Sequence, residues 1–203
     1  MEPFKTLTSI TAPRDRTNVD TDQIIPKQFL KRIERTGYGD FLFFDWRQTP
    51  EGKPLPEFVL KDPRYKDAKI LITGKNFGCG SSREHAAWAL SDFGFRVVIA
   101  PTFADIFFSN AGKNGIVLAR LSESEVETLL RNAESIPGYK LTVSLQEQTV
   151  TDDRGFKATF EVDAFRKYCL LEGLDDIGLT LRHAAELDKY ESQHDNAAWL
   201  HAK

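Results

Sequence analysis

Residues 69–90 read KILITGKNFGCGSSREHAAWAL, and the order of residue types in this stretch decides how the chain folds. Ile70-Leu71-Ile72-Thr73 is a short apolar, β-branched run of the kind that makes a buried strand. Gly74, Gly78 and Gly80 follow it, at a density that suits a backbone needing positive φ or close approach to a ligand. Ser81 or Ser82 is then placed to cap a helix, because Arg83-Glu84-His85-Ala86-Ala87-Trp88-Ala89-Leu90 is rich in good helix formers. Strand, glycine loop and helix start in that order bring unpaired N–H groups and the positive helix pole to one spot beside the charge of Arg83, which favours an anion. A plain strand-to-helix turn with a serine cap would have the same local sequence. A dinucleotide fingerprint would need glycine where Arg83 stands, and the spacings of a P-loop and of a nucleophile elbow are absent too.

Outward from this stretch, the composition sets bounds. The chain has 203 residues, 41% of them apolar, with fifteen phenylalanines. That is enough to bury a core in a single domain over 1–203, with a helical extension from about 163. The formal charge of −3 leaves no global basic field for nucleic acid. No apolar run approaches the ~20 residues of a membrane span, and the N-terminus lacks a basic-then-apolar secretory pattern, so the expected location is the cytoplasm. Cys79 and Cys169 are read as two reduced thiols rather than a disulfide framework. Together with His85, His183, His194 and His201 they make no metal-ligand pattern.

In chain order, Phe4 to Ile10 reads as a strand closed by Pro13. Asp15, Asp20 and Asp22 with Asn18 and Thr21 form a polar cluster of the kind that builds turns. Lys27 to Arg35 has the spacing of a short amphipathic helix with a basic face. Phe41-Leu42-Phe43-Phe44-Asp45-Trp46 is read first as core and second as a docking surface, and residues 47–67 as a long proline-rich connection. Arg96–Ala100 and Ile116–Ala119 are further buried strands with a helix over Phe103–Lys113 between them, which makes an α/β core with parallel pairing. Ser122-Glu123-Ser124-Glu125 is a capping box opening a helix to about Ala133. Lys140–Glu147 and Phe156–Val162 read as a hairpin turning at Asp152–Gly155. Asp163 caps a helix to Glu172, and a last helix starts near Gly178.

Asn76 to Ala87, NFGCGSSREHAA, resembles the signature of the swivelling domain of the aconitase superfamily, in the form seen in the small-subunit family of the isopropylmalate dehydratases. Asn18 to Pro26, Gln28 to Arg32, Asp40 to Trp46 and Ala100 to Ile116 resemble other segments of that family. The resemblance implies a swivelling β/β/α domain with a mixed, partly parallel sheet flanked by helices. It implies a hydro-lyase on a small hydroxy-dicarboxylate, active only with a large subunit that holds a [4Fe-4S] cluster, this chain binding no cofactor itself. It places the catalytic serine at Ser81, with Arg83 and Asp22 in the active site, Ser82 on a substrate carboxylate, and Lys31 or Arg32 on the loop that reaches the substrate's variable end.

A free serine hydroxyl is too weak an acid to ionise near neutral pH. Ser81 as a base therefore requires its oxyanion to be held by N–H donors and a cation. Arg83 could instead be a surface partner of Glu84. His85 is read as a supporting residue and Cys79 as a spacer. Related citraconate, methylmalate or homoaconitate-type hydratases, a non-catalytic partner of the large subunit, and a solitary serine hydrolase are the competing functions.

Overall fold

Runs of Val, Ile and Leu without polar alternation need cover on both faces, and three such runs lie side by side here. The computed structural model describes residues 1–32, 34–49, 51–53, 55 and 58–193. Strands β1 (Thr6–Arg14), β2 (Ile70–Thr73), β3 (Val97–Ala100), β4 (Val117–Arg120), β5 (Lys140–Ser144), β6 (Thr149–Thr151) and β7 (Lys157–Thr159) form one sheet in the order β4-β3-β2-β1-β5-β6-β7. From β4 to β1 the pairing is parallel, and from β1 through β5 and β6 to β7 it is antiparallel. Strand β1 joins the halves: Thr6–Ile10 pairs with β5, and Thr11–Arg14 with β2. This is the expected mixed, partly parallel sheet.

Helices α1 (Thr21–Ile24) and α2 (Phe44–Arg47) are single turns. Helices α3 (Glu84–Phe93), α4 (Asp105–Lys113) and α5 (Glu123–Ser135) flank the parallel half, and α6 (Ala164–Glu172), α7 (Asp176–Leu181) and α8 (Ala184–Gln193) follow the meander. Alternate residues of the parallel strands feed two cores. Leu71, Val98 and Leu118 meet Ala86, Ala87 and Leu90 of α3 and Phe107 of α4, while Ile70, Ile72, Val97, Ile99 and Val117 meet Val126, Leu129 and Leu130 of α5. The capping box at Ser122 and the cap at Asp163 are both present. Leu42 and Phe43 are fully buried, so the aromatic run serves the core.

Four expectations are corrected. Pro13 lies inside β1, opposite Ile72. Thr11, two residues earlier, donates its N–H to Tyr139 just before β5 begins, so the missing N–H of Pro13 faces the side where the neighbouring strand has run out. The amphipathic helix over Lys27–Arg35 is only a 3₁₀ turn at Lys27–Lys31, after which Arg32 is extended; its apolar stripe is too short to sustain a helix. The hairpin is a three-stranded meander, because Thr149–Thr151 pairs with both β5 and β7. The tail helix begins earlier, at Asp176 under an Asp175 cap, and breaks at Arg182 before α8; residues 194–203 of the expected extension lie outside the described residues.

Candidate active site

Loops leaving the C-terminal ends of parallel strands are where open α/β sheets bind ligands, and three of them are laced together here. After β1, Asn18 donates its N–H to the carbonyl of Lys75 (2.9 Å), and Gly78 returns one to Val19 (2.7 Å). Thr21 donates its N–H to Cys79 (2.8 Å) and its hydroxyl to the carbonyl of Ser81 (3.0 Å). After β3, Thr102 accepts from the N–H of Phe77, and Ala104 donates to Phe77. Gly78 has φ +77°, and a Cβ there would lie 2.2 Å from the ring of Phe107, so this turn passes directly over helix α4. The glycine loop is thus held on both sides by its neighbours.

Asp20 caps α1 through a reciprocal box with Gln23, which turns Asp22 toward the glycine loop. There the Asp22 carboxylate accepts from Nη1 of Arg83 at 2.5 Å. The Arg83 side chain is only 11% exposed and that of Asp22 39%, so the pair is shielded on one flank and open on the other. Lys27 Nζ stands 4.0 Å from the other Asp22 oxygen. Arg83 therefore pairs with Asp22, while Glu84 instead accepts from Asn114. Helix α3 is not capped by a serine as expected: Arg83 is the N-cap residue, with an extended backbone and no side-chain cap. Thr21 holds the carbonyl of Ser81, where the chain bends ahead of the helix, and neither serine hydroxyl bonds an N–H of α3. Ser81 and Ser82 are exposed, and among the described residues neither hydroxyl has a hydrogen-bond partner.

The structure therefore brings Asp22, Ser81, Ser82 and Arg83 into one region. Lys31 and Arg32 lie on the adjoining segment: Lys31 is exposed, and Arg32 is 3.5 Å from Glu34, with its guanidinium over Tyr38 and Phe41. Sequence reasoning left Lys27 as one cation of a solvated face. Its position five residues after Asp22, with a proline between, was the available signal.

His85 in the first turn of α3 sits edge-on to Tyr38 (5.3 Å) and against Trp88 (4.7 Å). Burial, and to a lesser degree Arg83, pull its pKa below the usual 6.5 against the opposing pull of Glu84. This favours the uncharged imidazole. As pH falls the unfolded chain takes this proton first, so the folded state loses stability from the unfolded value down to the lower folded one. Unfolding midpoints measured from about pH 7 to about pH 5 should fall more steeply for the wild type than for His85→Gln. The Cys79 thiol is pushed up by burial and then by the charge of Asp20, which disfavours a thiolate nucleophile.

No group of three or more His, Cys, Asp or Glu stands together among the described residues in a way that could hold a metal. Cys79 is in the glycine loop and Cys169 is buried in α6, so the donors here do not fit an iron–sulfur cluster. No helix among the described residues is long and apolar enough to cross a membrane.

The aconitase C-terminal domain family matches residues 1–124, LeuD_N matches 127–164, and the C-terminal domain of the 3-isopropylmalate dehydratase small subunit matches 176–203. The 3-isopropylmalate dehydratase small subunit of Acidobacterium capsulatum is 67% identical over 200 residues, covering 98% of this chain and 94% of that protein. This chain belongs to the 3-isopropylmalate dehydratase small-subunit family. The family member of Brevibacillus brevis is 58% identical over 193 residues, covering 95% of this chain and all of that protein. A crystal structure of 3-isopropylmalate dehydratase (leuD) from Methanocaldococcus jannaschii superposes with a TM-score of 0.67 at 23% identity, covering 91% of this chain and 99% of that one. It shares the fold of this family member.

Proposed function

We propose that this chain is the small subunit of a cytoplasmic hydro-lyase that interconverts 2-isopropylmalate and 3-isopropylmalate by dehydration and rehydration in leucine biosynthesis. The observation that carries the mechanism is an open Ser81 hydroxyl beside the shielded Asp22–Arg83 pair. Ser81 takes the proton from the carbon next to a substrate carboxylate and returns it in the other direction. Its oxygen needs cationic and N–H stabilisation while it lacks its own proton, which the neighbouring Arg83 and the start of α3 can supply. Arg83 also has donors left over for a substrate carboxylate once Asp22 has taken Nη1. Asp22 fixes the guanidinium, Ser82 adds a second hydroxyl, and Lys27 adds a cation at the rim. Lys31 or Arg32 meets the variable end.

The partner is a large subunit with a [4Fe-4S] cluster, which supplies the Lewis acidity for the substrate hydroxyl. This chain's own work is binding, orientation and proton transfer. Arg83→Lys keeps the charge but loses the planar fork, so kcat/KM of the reconstituted pair should fall about 10- to 100-fold. Assaying that pair against 2-isopropylmalate, citraconate, 2-methylmalate and homoaconitate tests the substrate. Turnover of another acid in preference to 2-isopropylmalate would reject this reading.

A further inference from the structure

We propose that Asp92 is a positioning residue for the substrate's variable end, acting through Tyr38. The proposal rests on the reading above, in which the segment bearing Lys31 and Arg32 meets that end. Asp92 lies in the last turn of α3, where a carboxylate adds charge to the negative helix pole and no cation in that turn offsets it. Its Oδ2 instead accepts the backbone N–H of Tyr38 at 2.9 Å. Gly39, the next residue, is pressed so close that a Cβ would lie 2.8 Å from the Asp92 carbonyl carbon and from the Phe93 nitrogen. This is a place where only glycine allows the two backbones to meet.

Tyr38 itself is fully buried. Its ring packs on His85 at 5.3 Å and Trp88 at 5.7 Å, and its hydroxyl donates to the carbonyl of Arg32 at 3.3 Å. The Arg32 guanidinium lies over the same ring at 5.7 Å and over Phe41 at 5.1 Å. A continuous line of contacts thus runs from Arg32 through Tyr38 to both ends of α3. One end is Asp92; the other is His85, two residues from Arg83. The helix that carries Arg83 therefore also sets the position of Arg32, and Asp92 is the polar fastening of that link.

The test uses the reconstituted two-subunit enzyme, with steady-state kinetics on 2-isopropylmalate and on 2-methylmalate, which lacks the isopropyl branch. Asp92→Ala should raise KM for 2-isopropylmalate about tenfold, the loss expected for one hydrogen bond to a charged acceptor, with kcat within about twofold. The effect on 2-methylmalate should be smaller. Asp92→Asn, whose amide oxygen still accepts, should restore most of the loss. Hydrogen exchange should show the Tyr38 amide deprotected in Asp92→Ala while the Ala86 amide stays as in the wild type. An unchanged KM, an equal change on both acids, or no rescue by Asp92→Asn would overturn the proposal. Failure of the wild-type pair to act on 2-isopropylmalate is a separate result: it removes the proposed function, and this inference with it.

Discussion

Ser81→Ala in the reconstituted enzyme should lower kcat by about 10²- to 10⁴-fold, the range for losing a general base, which corresponds to about 3 to 5 kcal/mol of transition-state stabilisation. KM should change little, because the hydroxyl acts on a proton that is in flight only in the transition state. Stability should be preserved to within about 0.5 kcal/mol, as Ser81 is exposed and its hydroxyl anchors nothing among the described residues. Fastening of this loop falls instead to the Ser81 carbonyl, which Thr21 holds and which alanine retains. A protein that merely stabilised its partner would show near-normal turnover in the same variant with the complex intact.

Gly78→Ala should be the most disruptive small substitution in the loop. Its φ of +77° is one that L side chains adopt at a cost of about 1 to 2 kcal/mol. The new methyl would also fall 2.2 Å from Cγ of Phe107, a ring that is 2% exposed and packs edge-on to Phe77 at 5.3 Å. Overpacking of this kind adds about 1 to 3 kcal/mol. The sum, about 2 to 5 kcal/mol, should appear as a lowered denaturation midpoint. Gly138→Ala is the matched control: its φ is +70° but nothing lies within 4 Å of the added carbon, so it should cost only the backbone share. Because Gly78 also donates to Val19, a displaced Gly78 should loosen the loop that presents Asp22. Turnover should fall with stability.

The contrast between these two residues shows where sequence is informative. That a glycine loop precedes a helix start could be read from Gly74 to Leu90, but that Gly78 must be glycine depends on Phe107, twenty-nine positions away on another helix. Strands β2, β3 and β4 were legible because a strand buried on both faces needs an unbroken apolar run, a purely local pattern. The Ser122 and Asp163 caps were legible for the same reason. Pro13 misled because its tolerance depends on where β5 begins. Strand β6 is three residues long, too short for an alternation to stand out. The serine cap failed through a tertiary hydrogen bond from Thr21, sixty positions earlier. Asp22 and Arg83 were named through family resemblance, and their pairing at 2.5 Å is a property of the folded chain. Lys27 was missed because a 3₁₀ turn, rather than a helix, sets its direction.

Under the proposed function, one helix would serve both chemistry and fold. Arg83 at the start of α3 is held by Asp22, and the small buried residues Ala86, Ala87 and Ala89 leave room for close packing around the rest of that helix. The hydroxyl proposed to react, that of Ser81, stands just ahead of it, at an exposed bend. Among the described residues the Ser81 hydroxyl makes no hydrogen bond, so the proposed proton transfer would break no structural contact.

The most direct measurement follows the proton itself. With the large subunit present and 2-isopropylmalate in deuterium oxide, NMR reads incorporation of solvent deuterium at the methylene carbon beside the carboxylate. The wild-type pair should incorporate it, and the Ser81→Ala pair should do so at least about 100-fold more slowly while still binding substrate. Exchange by Ser81→Ala at close to the wild-type rate would show that another group moves the proton, and the role given to this helix start would be wrong.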